Sequence, residues 1–538
     1  MLFADLVVLN GNIITVDDKN PRAEALAVKG EKFVAVGTTN QIRELVGANT
    51  RVIDIQRETV IPGFIDAHCH PTEVARSLLQ VDCSPGKVNA ISDIVNTLAE
   101  RSKTTPPGKW LQGFGYDDTK LKENRHPTRW DLDKASTEHP IYITQVSGHI
   151  GVVNSHALKI AKLTKDSSDP TGGKFDRIQN GELTGVCRER AQDIFRPLIP
   201  PPTREEDKKA IHLLCQKYSS GGITSVGDAM VSPLDIRLYQ DALEERSLSI
   251  RVYMMPLNNN LPYLKKLNLR TGFGNSRLKI GATKMFLDGA IAGRTASLYE
   301  PYEGRPDDYG ILVLTQEKLD KEIFEAHKAG FQIGVHANGD RAINMLLDSY
   351  EKALNKLPRV NHRHRIEHCT VVNPTILKRI KELGLVVLPF STYIWEHGEK
   401  MKEYGKRISM MFACRSFLDH GIPVAGSTDN PCGPVEPLLG LQSMVTRKSK
   451  DGEILGAEQK ISIEEAIRIY TMGSAYASFE ENIKGSIEVG KLADFVVLSD
   501  DPTRVSPDNI RAINVEKTIV GGEIVYELEN YNDRRRLI

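Results

Sequence analysis

The sequence predicts an α/β fold: a (β/α)₈ TIM barrel, with a small β-sandwich domain formed by both chain termini and an insertion after strand one. Three observations lead there. Both ends of the chain read as short apolar runs broken by turn residues, which is the pattern of β-strands. The middle alternates apolar runs with amphipathic stretches, the pattern of a parallel sheet with crossover helices. One interval, 73–205, is far longer than a connecting loop and needs structure of its own.

At the N-terminal end, Leu6-Val7-Val8-Leu9, Ile13-Ile14-Thr15-Val16, Ala25-Leu26-Ala27-Val28 and Phe33-Val34-Ala35-Val36 are separated by Asn-Gly, Asp-Asp and Lys-Gly turns. At the other end, Phe495–Leu498 and Val515–Val520 are followed by Gly521-Gly522 and Glu523–Tyr526, a hairpin signal. Neither end has enough apolar surface to stand alone, so the two are expected to share one module, 1–61 with 475–538. Between them, 62–474 is expected to hold eight barrel strands: Val60–His70, Ile223–Ala229, Ile250–Met255, Ile280–Leu287, Gln332–Ala337, His364–Cys369, Leu385–Pro389 and Pro423–Thr428. Leu319–Ala329 and Ala342–Leu354 are examples of the helices between. The inserted subdomain, 73–205, ends in the Pro-rich Pro197–Pro202.

Composition narrows the function. The chain has 538 residues, 40% hydrophobic and 26% charged, with 70 acidic and 70 basic residues. That balance points away from nucleic acid, and the Arg534-Arg535-Arg536 run reads as a solvated end. No apolar run approaches the ~18–20 residues that span a bilayer. The start, Met1-Leu2-Phe3-Ala4-Asp5, lacks a basic region and a cleavage site, and the seven cysteines contain no C-x-x-C pair. A cytoplasmic protein with reduced, mostly buried thiols is the expectation, acting on a small molecule, with no membrane partner.

The chemistry gathers at predicted strand ends, where a barrel assembles its site. His68 and His70, in Asp66-Ala67-His68-Cys69-His70, are two apart on a strand and so face the same side, as a metal grip requires. With 14 histidines, about 0.4 such triplets arise by chance. A second one, His362-Arg363-His364, opens its strand instead of ending it and reads as surface or structural. His336 closes the fifth predicted strand, His368 the sixth, and Asp429 follows the eighth. Together these five read as a candidate zinc-type ligand set, for one or two divalent ions.

Lys284 lies inside an apolar strand, where an ammonium is costly unless paired or neutralised. It either pairs with Asp288, faces water at the rim, or is carboxylated by CO₂ to an N6-carboxylysine bridging two metal ions. Asp429 is the candidate general acid/base, because it can reach both metal and water. His149 is the candidate oxyanion donor or substrate contact. Arg294, Tyr116, Asp117 and Trp395 are substrate-binding candidates, with His397 beside Trp395; for each, bracing or packing is the alternative. Asp340 reads as a helix N-cap.

These residues together resemble the amidohydrolase superfamily, in its YtcJ-like branch that includes N-substituted formamide deformylases. The resemblance runs from Val60–His70, through Asp288-Gly289, Gly293–Ala296 and His336–Ala342, to Lys484–Asp494. It implies a barrel with a terminal β-sandwich, metal ligands at His68, His70, His336, His368 and Asp429, and a carboxylated Lys284. It also implies hydrolysis of a carbon–nitrogen bond other than a peptide bond, as in an N-substituted formamide or N-acyl compound. Alternatives are a mononuclear aminohydrolase that deaminates a ring, an esterase or lactonase, and a non-catalytic barrel that serves in assembly. A homo-oligomer fits the resemblance, although no feature of the sequence specifies one.

Overall fold

The computed structural model describes residues 3–56, 58–146, 148 and 150–529. The Arg534–Arg536 run and His149 lie outside the described residues. The chain divides into two compact units, Met1–Thr72 with Cys215–Ile538, and Glu73–Leu214.

In the first unit, one sheet has the order Lys32–Gly37, Ala25–Lys29, Leu6–Leu9, Arg51–Asp54. A second, six-stranded sheet takes strands from both ends of the chain, in the order Glu523–Glu527, Val515–Val520, Phe495–Leu498, Thr59–Pro62, Asn12–Ile14, Arg22–Ala23. Alternation supplies the faces that meet: Leu6, Val8, Leu26 and Val28 share one apolar cluster with Val60, Phe495, Val497 and Ile519. Gly521 and Gly522, at φ 60° and 81°, join the last two strands through the left-handed turn that matches strand twist.

Two parallel sheets follow. The first contains β1 (Phe64–Cys69), β2 (Ile223–Val231), β3 (Arg251–Pro256) and β4 (Leu278–Ile280) in that spatial order. The second contains β5 (Thr283–Phe286), β6 (Ile333–Ala337), β7 (Arg365–His368) and β8 (Val386–Leu388). Helices Pro233–Glu244, Gln316–Lys328, Asp340–Lys356 and Pro374–Glu382 lie between consecutive strands.

Three predicted strands come out differently. Val60–His70 is two strands: Thr59–Pro62 pairs antiparallel with Phe495–Leu498, and β1 pairs parallel with β2. The break falls at Gly63, where a Cβ would come within 2.3 Å of the Thr224 side chain. Ile280–Leu287 is also two strands, broken where Gly281 packs against the Tyr253 ring and donates to the Met254 carbonyl. The 423–428 segment is not a regular strand. It is held by a parallel bridge between Val387 and Val424, and by bonds from Ala425 N to Val387 O (3.0 Å) and from Ala67 N to Gly426 O (2.9 Å).

The second unit is built on a six-stranded mixed sheet ordered Gly173–Arg177, Leu183–Glu189, Ile150–Val153, Ile141–Gln145, Leu111–Tyr116, Val81–Asp82. Two apolar clusters serve it, one including the helix Ile91–Thr104 and the other Ser155–Ile160. The division between the units falls within the helix Arg204–Ser220, beyond the Pro-rich segment. Among the described residues, no helix is long and apolar enough to cross a membrane. Six of the seven cysteines are buried and none of the seven forms a disulfide.

Candidate metal centre

β1 is buried along its whole length and delivers His68 at its end, with His70 just beyond. Each imidazole is oriented by a partner on Nδ1. His70 Nδ1 lies 2.7 Å from the Ala229 carbonyl, and His68 Nδ1 lies 2.5 Å from Glu367 Oε2. A carbonyl or carboxylate can only accept, so the proton sits on Nδ1 and each Nε2 presents a lone pair. Both lone pairs face Asp429, whose Oδ1 is 3.1 Å from His70 Nε2 and 3.5 Å from His68 Nε2. One ligand atom from each of the three residues lies within 4.8 Å of the others.

Asp429 leaves the extended segment in a left-handed conformation, φ 58°, and its N–H donates to the His68 carbonyl. That backbone costs a non-glycine residue of order 1 kcal/mol and is retained where surroundings demand it. Its second oxygen, Oδ2, accepts the Tyr393 hydroxyl at 2.6 Å. Burial alone would raise this carboxyl, but its contacts with His70, His368 and His68 hold it well below the usual range.

Lys284 is buried on β5, with Nζ 3.2 Å from His68 Nε2 and 4.5 Å from the centre of the Phe286 ring. Burial brings its ammonium down to about 8, against the opposing pull of Glu367 and Asp429. Asp288 is engaged elsewhere: its oxygens accept the backbone N–H groups of Ser297, Asn338 and Gly339 at 2.8–2.9 Å. Burial nonetheless raises Asp288 to about 7.

His336 and His368 complete the group. Their ring centroids are 4.1 Å apart, and His368 is 5.9 Å from His68. His336 Nε2 is 3.1 Å from the Gly289 carbonyl. His368 ends β7 at φ 70°, and its buried Nδ1 has no hydrogen-bond partner among the described residues. Burial, then the Lys284 charge, lowers His68 to about 3 and His336 to about 4. Burial, then His336, lowers His368 well below its ordinary value. Imidazoles held neutral are the form that binds metal.

His68, His70, Lys284, His336, His368 and Asp429 are therefore neighbours. The other candidates have different surroundings. Arg294 (φ 54°) pairs with Glu403. Trp395 is half-buried under the Arg511 guanidinium, 4.7 Å from its ring, and His397 packs edge-on against Tyr393. In the second unit, Tyr116 is fully buried in that unit's own core with its hydroxyl 3.2 Å from His126 Nδ1. Asp117 Oδ1 closes a local turn by accepting from Thr119 N (2.9 Å) and Oγ1 (2.7 Å).

One local expectation is corrected, and of the two readings of the second histidine pair the structural one holds. Asp340 is the first residue of its helix and Gly339 is the N-cap; the Asp340 carboxylate instead accepts from Tyr299 N. The His362–His364 pair is not on the surface. His364 is fully buried, stacked on Tyr350 and 2.9 Å from His327. Sequence reasoning also passed over Glu367 and Tyr393. Alternation along β7 placed Arg365 and Glu367 on one face, which was a usable signal for Glu367; nothing local marks Tyr393.

Residues 51–526 match the family model described as "Amidohydrolase family". The chain belongs to the amidohydrolase family. The N-substituted formamide deformylase of Arthrobacter pascens is 29% identical, over 97% of this chain and 98% of that protein. The putative amidohydrolase YtcJ of Bacillus subtilis (strain 168) is 30% identical, over 96% and 98%. An uncharacterized metal-dependent hydrolase from Pyrococcus furiosus superposes with a TM-score of 0.78 at 28% identity, covering 93% of this chain and all of that one. The amidohydrolase thus shares the α/β fold of that metal-dependent hydrolase.

Proposed function

We propose that this amidohydrolase cleaves the carbon–nitrogen bond of an amide, in the class of N-substituted formamides or N-acyl compounds. One or two zinc ions are the proposed cofactor, held by His68, His70, His336, His368 and Asp429, with a carboxylated Lys284 as bridge. The observation that carries the reading is the convergence of His68, His70 and Asp429 on one point. The donor set fits a metal: neutral buried imidazoles, an ionised carboxylate, and a buried His368 Nδ1 with no protein partner. Zinc bound there supplies Lewis acidity at the substrate carbonyl and a water acidified toward neutrality.

The chain's own groups do the rest. Asp429 accepts the proton of the attacking water at its carboxylate and returns it to the departing nitrogen. Tyr393, donating to Oδ2, keeps Oδ1 turned toward the histidines. Arg294 and Trp395, which belong to the same unit as the metal centre, are the proposed substrate contacts. In the same reading, the two parallel sheets and the 423–428 segment close into a (β/α)₈ barrel, and the sheets of the chain ends form a sandwich.

Elemental analysis of wild type and Lys284→Ala, each also assayed on N-substituted formamides, N-acyl amino acids, esters and amino-substituted rings, tests the proposal. About two metal equivalents in wild type, a sharp fall in the variant, and turnover of the amides are expected. About one equivalent in both removes the bridge; no metal in wild type sinks the mechanism.

A further inference from the structure

We propose that Glu367 is a positioning residue that fixes the tautomer of His68 and aims its Nε2, and that Arg365 and Gly334 are built around it for that purpose. This rests on reading the site as a metal centre.

Arg365 and Glu367, two apart on β7, point the same way and both side chains are completely buried. Arg365 grips the carboxylate with two bonds, Nε to Oε1 at 2.7 Å and Nη2 to Oε2 at 2.9 Å. The same Nη2 donates to the Ala67 carbonyl at 2.8 Å, next to His68 in the other parallel sheet. Glu367 Oε2 then meets His68 Nδ1 at 2.5 Å. Stability alone does not account for this arrangement. Taking both charges out of water offsets most of their attraction, and an apolar pair of similar volume commonly serves as well.

The carboxylate does what an apolar pair cannot. Held ionised by Arg365, it has no proton to give, so His68 must carry its proton on Nδ1. The free lone pair is then on Nε2, the nitrogen 3.5 Å from Asp429 Oδ1 and 3.2 Å from Lys284 Nζ. Such outer partners of a ligating histidine typically contribute about 10–100-fold in metal affinity.

Gly334 on β6 is an independent sign. A Cβ there would stand 2.4 Å from Glu367 Oε1 and 2.9 Å from Met255 Cε. Its backbone is ordinary, with no positive φ, so the position needs the missing side chain and not glycine's conformational freedom. The gap is the space that the carboxylate occupies.

The test uses metal-free, ¹⁵N-histidine-labelled protein, in which long-range proton–nitrogen spectra report the tautomer of His68, assigned with His68→Gln. Two changes are compared with wild type. The double variant Arg365→Met, Glu367→Leu removes the pair as a unit. Gly334→Ala leaves both charges but crowds the carboxylate, and gives the same readout if the double variant does not fold. Expected are a pure Nδ1–H tautomer in wild type, a mixed or Nε2–H tautomer in the variants, and zinc affinity lower by about 10–100-fold in chelator competition. An unchanged tautomer, or unchanged zinc affinity in a folded variant, overturns the inference. Wild type that binds no zinc overturns the proposed function instead, and the tautomer on those samples still decides whether Glu367 holds His68.

Discussion

Mild acid should destabilise this protein through histidines remote from the metal centre. His362, His364 and His327 lie beside the N-terminal ends of β6 and β7; in His362 backbone groups occupy both nitrogens, and His364 Nε2 and His327 Nδ1 face each other. His364 Nδ1 accepts from Ile333 N at 3.1 Å, and His362 Nδ1 accepts from His364 N at 3.0 Å. His362 Nε2 donates to the Leu383 carbonyl at 3.0 Å. Burial, opposed by that bond and reinforced by the nearby Arg359 charge, lowers His362 to about 4. Unfolded, the same imidazole titrates near ~6.5.

The direction follows from proton counting. Between these two values the unfolded chain binds the proton and the folded one does not, so stability is full above ~6.5 and falls as pH drops toward ~4. At pH 5 this amounts to roughly 1–2 kcal/mol for His362 alone, after a discount for partial solvent access. The perturbation is His362→Asn, whose amide oxygen keeps the acceptor for His364 N but does not titrate. Thermal unfolding of both proteins is compared at pH 7.5, 6 and 5. The variant is less stable at pH 7.5, and the gap narrows by about 1–2 °C on going to pH 5, the shift that roughly 1–2 kcal/mol gives in a chain of this length. Using the difference between the two proteins cancels every other titrating group. A gap that stays constant across the three pH values would refute a neutral, protected His362.

Asp429→Asn removes the proposed proton acceptor while keeping the shape of the side chain. Its kcat should fall by about 10²–10⁴ with the circular dichroism spectrum unchanged; steady-state kinetics decide, and an active variant rejects the role. Tyr393→Phe deletes a 2.6 Å bond to a buried carboxylate. About 1.5–3 kcal/mol is at stake, read as a loss of roughly 10–150-fold in kcat/KM. Arg251→Met breaks the buried two-point pair with Asp494 at 2.7 and 2.8 Å, which ties β3 to the segment entering the C-terminal strands. Stranding Asp494 should cost about 3–5 kcal/mol in chemical denaturation; a loss below 1 kcal/mol would contradict it.

Periodicity along the chain determined a good deal by itself. The short apolar runs Leu6–Leu9, Ala25–Val28 and Phe495–Leu498 marked strands that do form, and Gly521-Gly522 marked the hairpin between Val515–Val520 and Glu523–Glu527, because strand propensity and turn conformation are properties of adjacent residues. The spacing of His68 and His70 likewise carried its own geometry. Four histidines and an aspartate at predicted strand ends were legible as a group because a parallel sheet brings strand ends together whatever the spacing in sequence; Lys284 stood out as a charge inside an apolar strand.

Tertiary structure decided the rest. Val60–His70 reads as one strand even though Pro62-Gly63 interrupts it; that Gly63 passes the chain from one sheet to another is fixed by the Thr224 side chain packed against it. Asp288 next to Lys284 was a reasonable partner by proximity in sequence, yet its oxygens are claimed by amides about 10 and 50 residues away. The surroundings of Lys284, the bond from Glu367 to His68, and that from Tyr393 to Asp429 all join residues far apart in the chain. A periodic pattern states which face a side chain lies on. What waits on that face is set by packing, since desolvation and hydrogen bonding act between whichever groups the fold brings within about 3 Å.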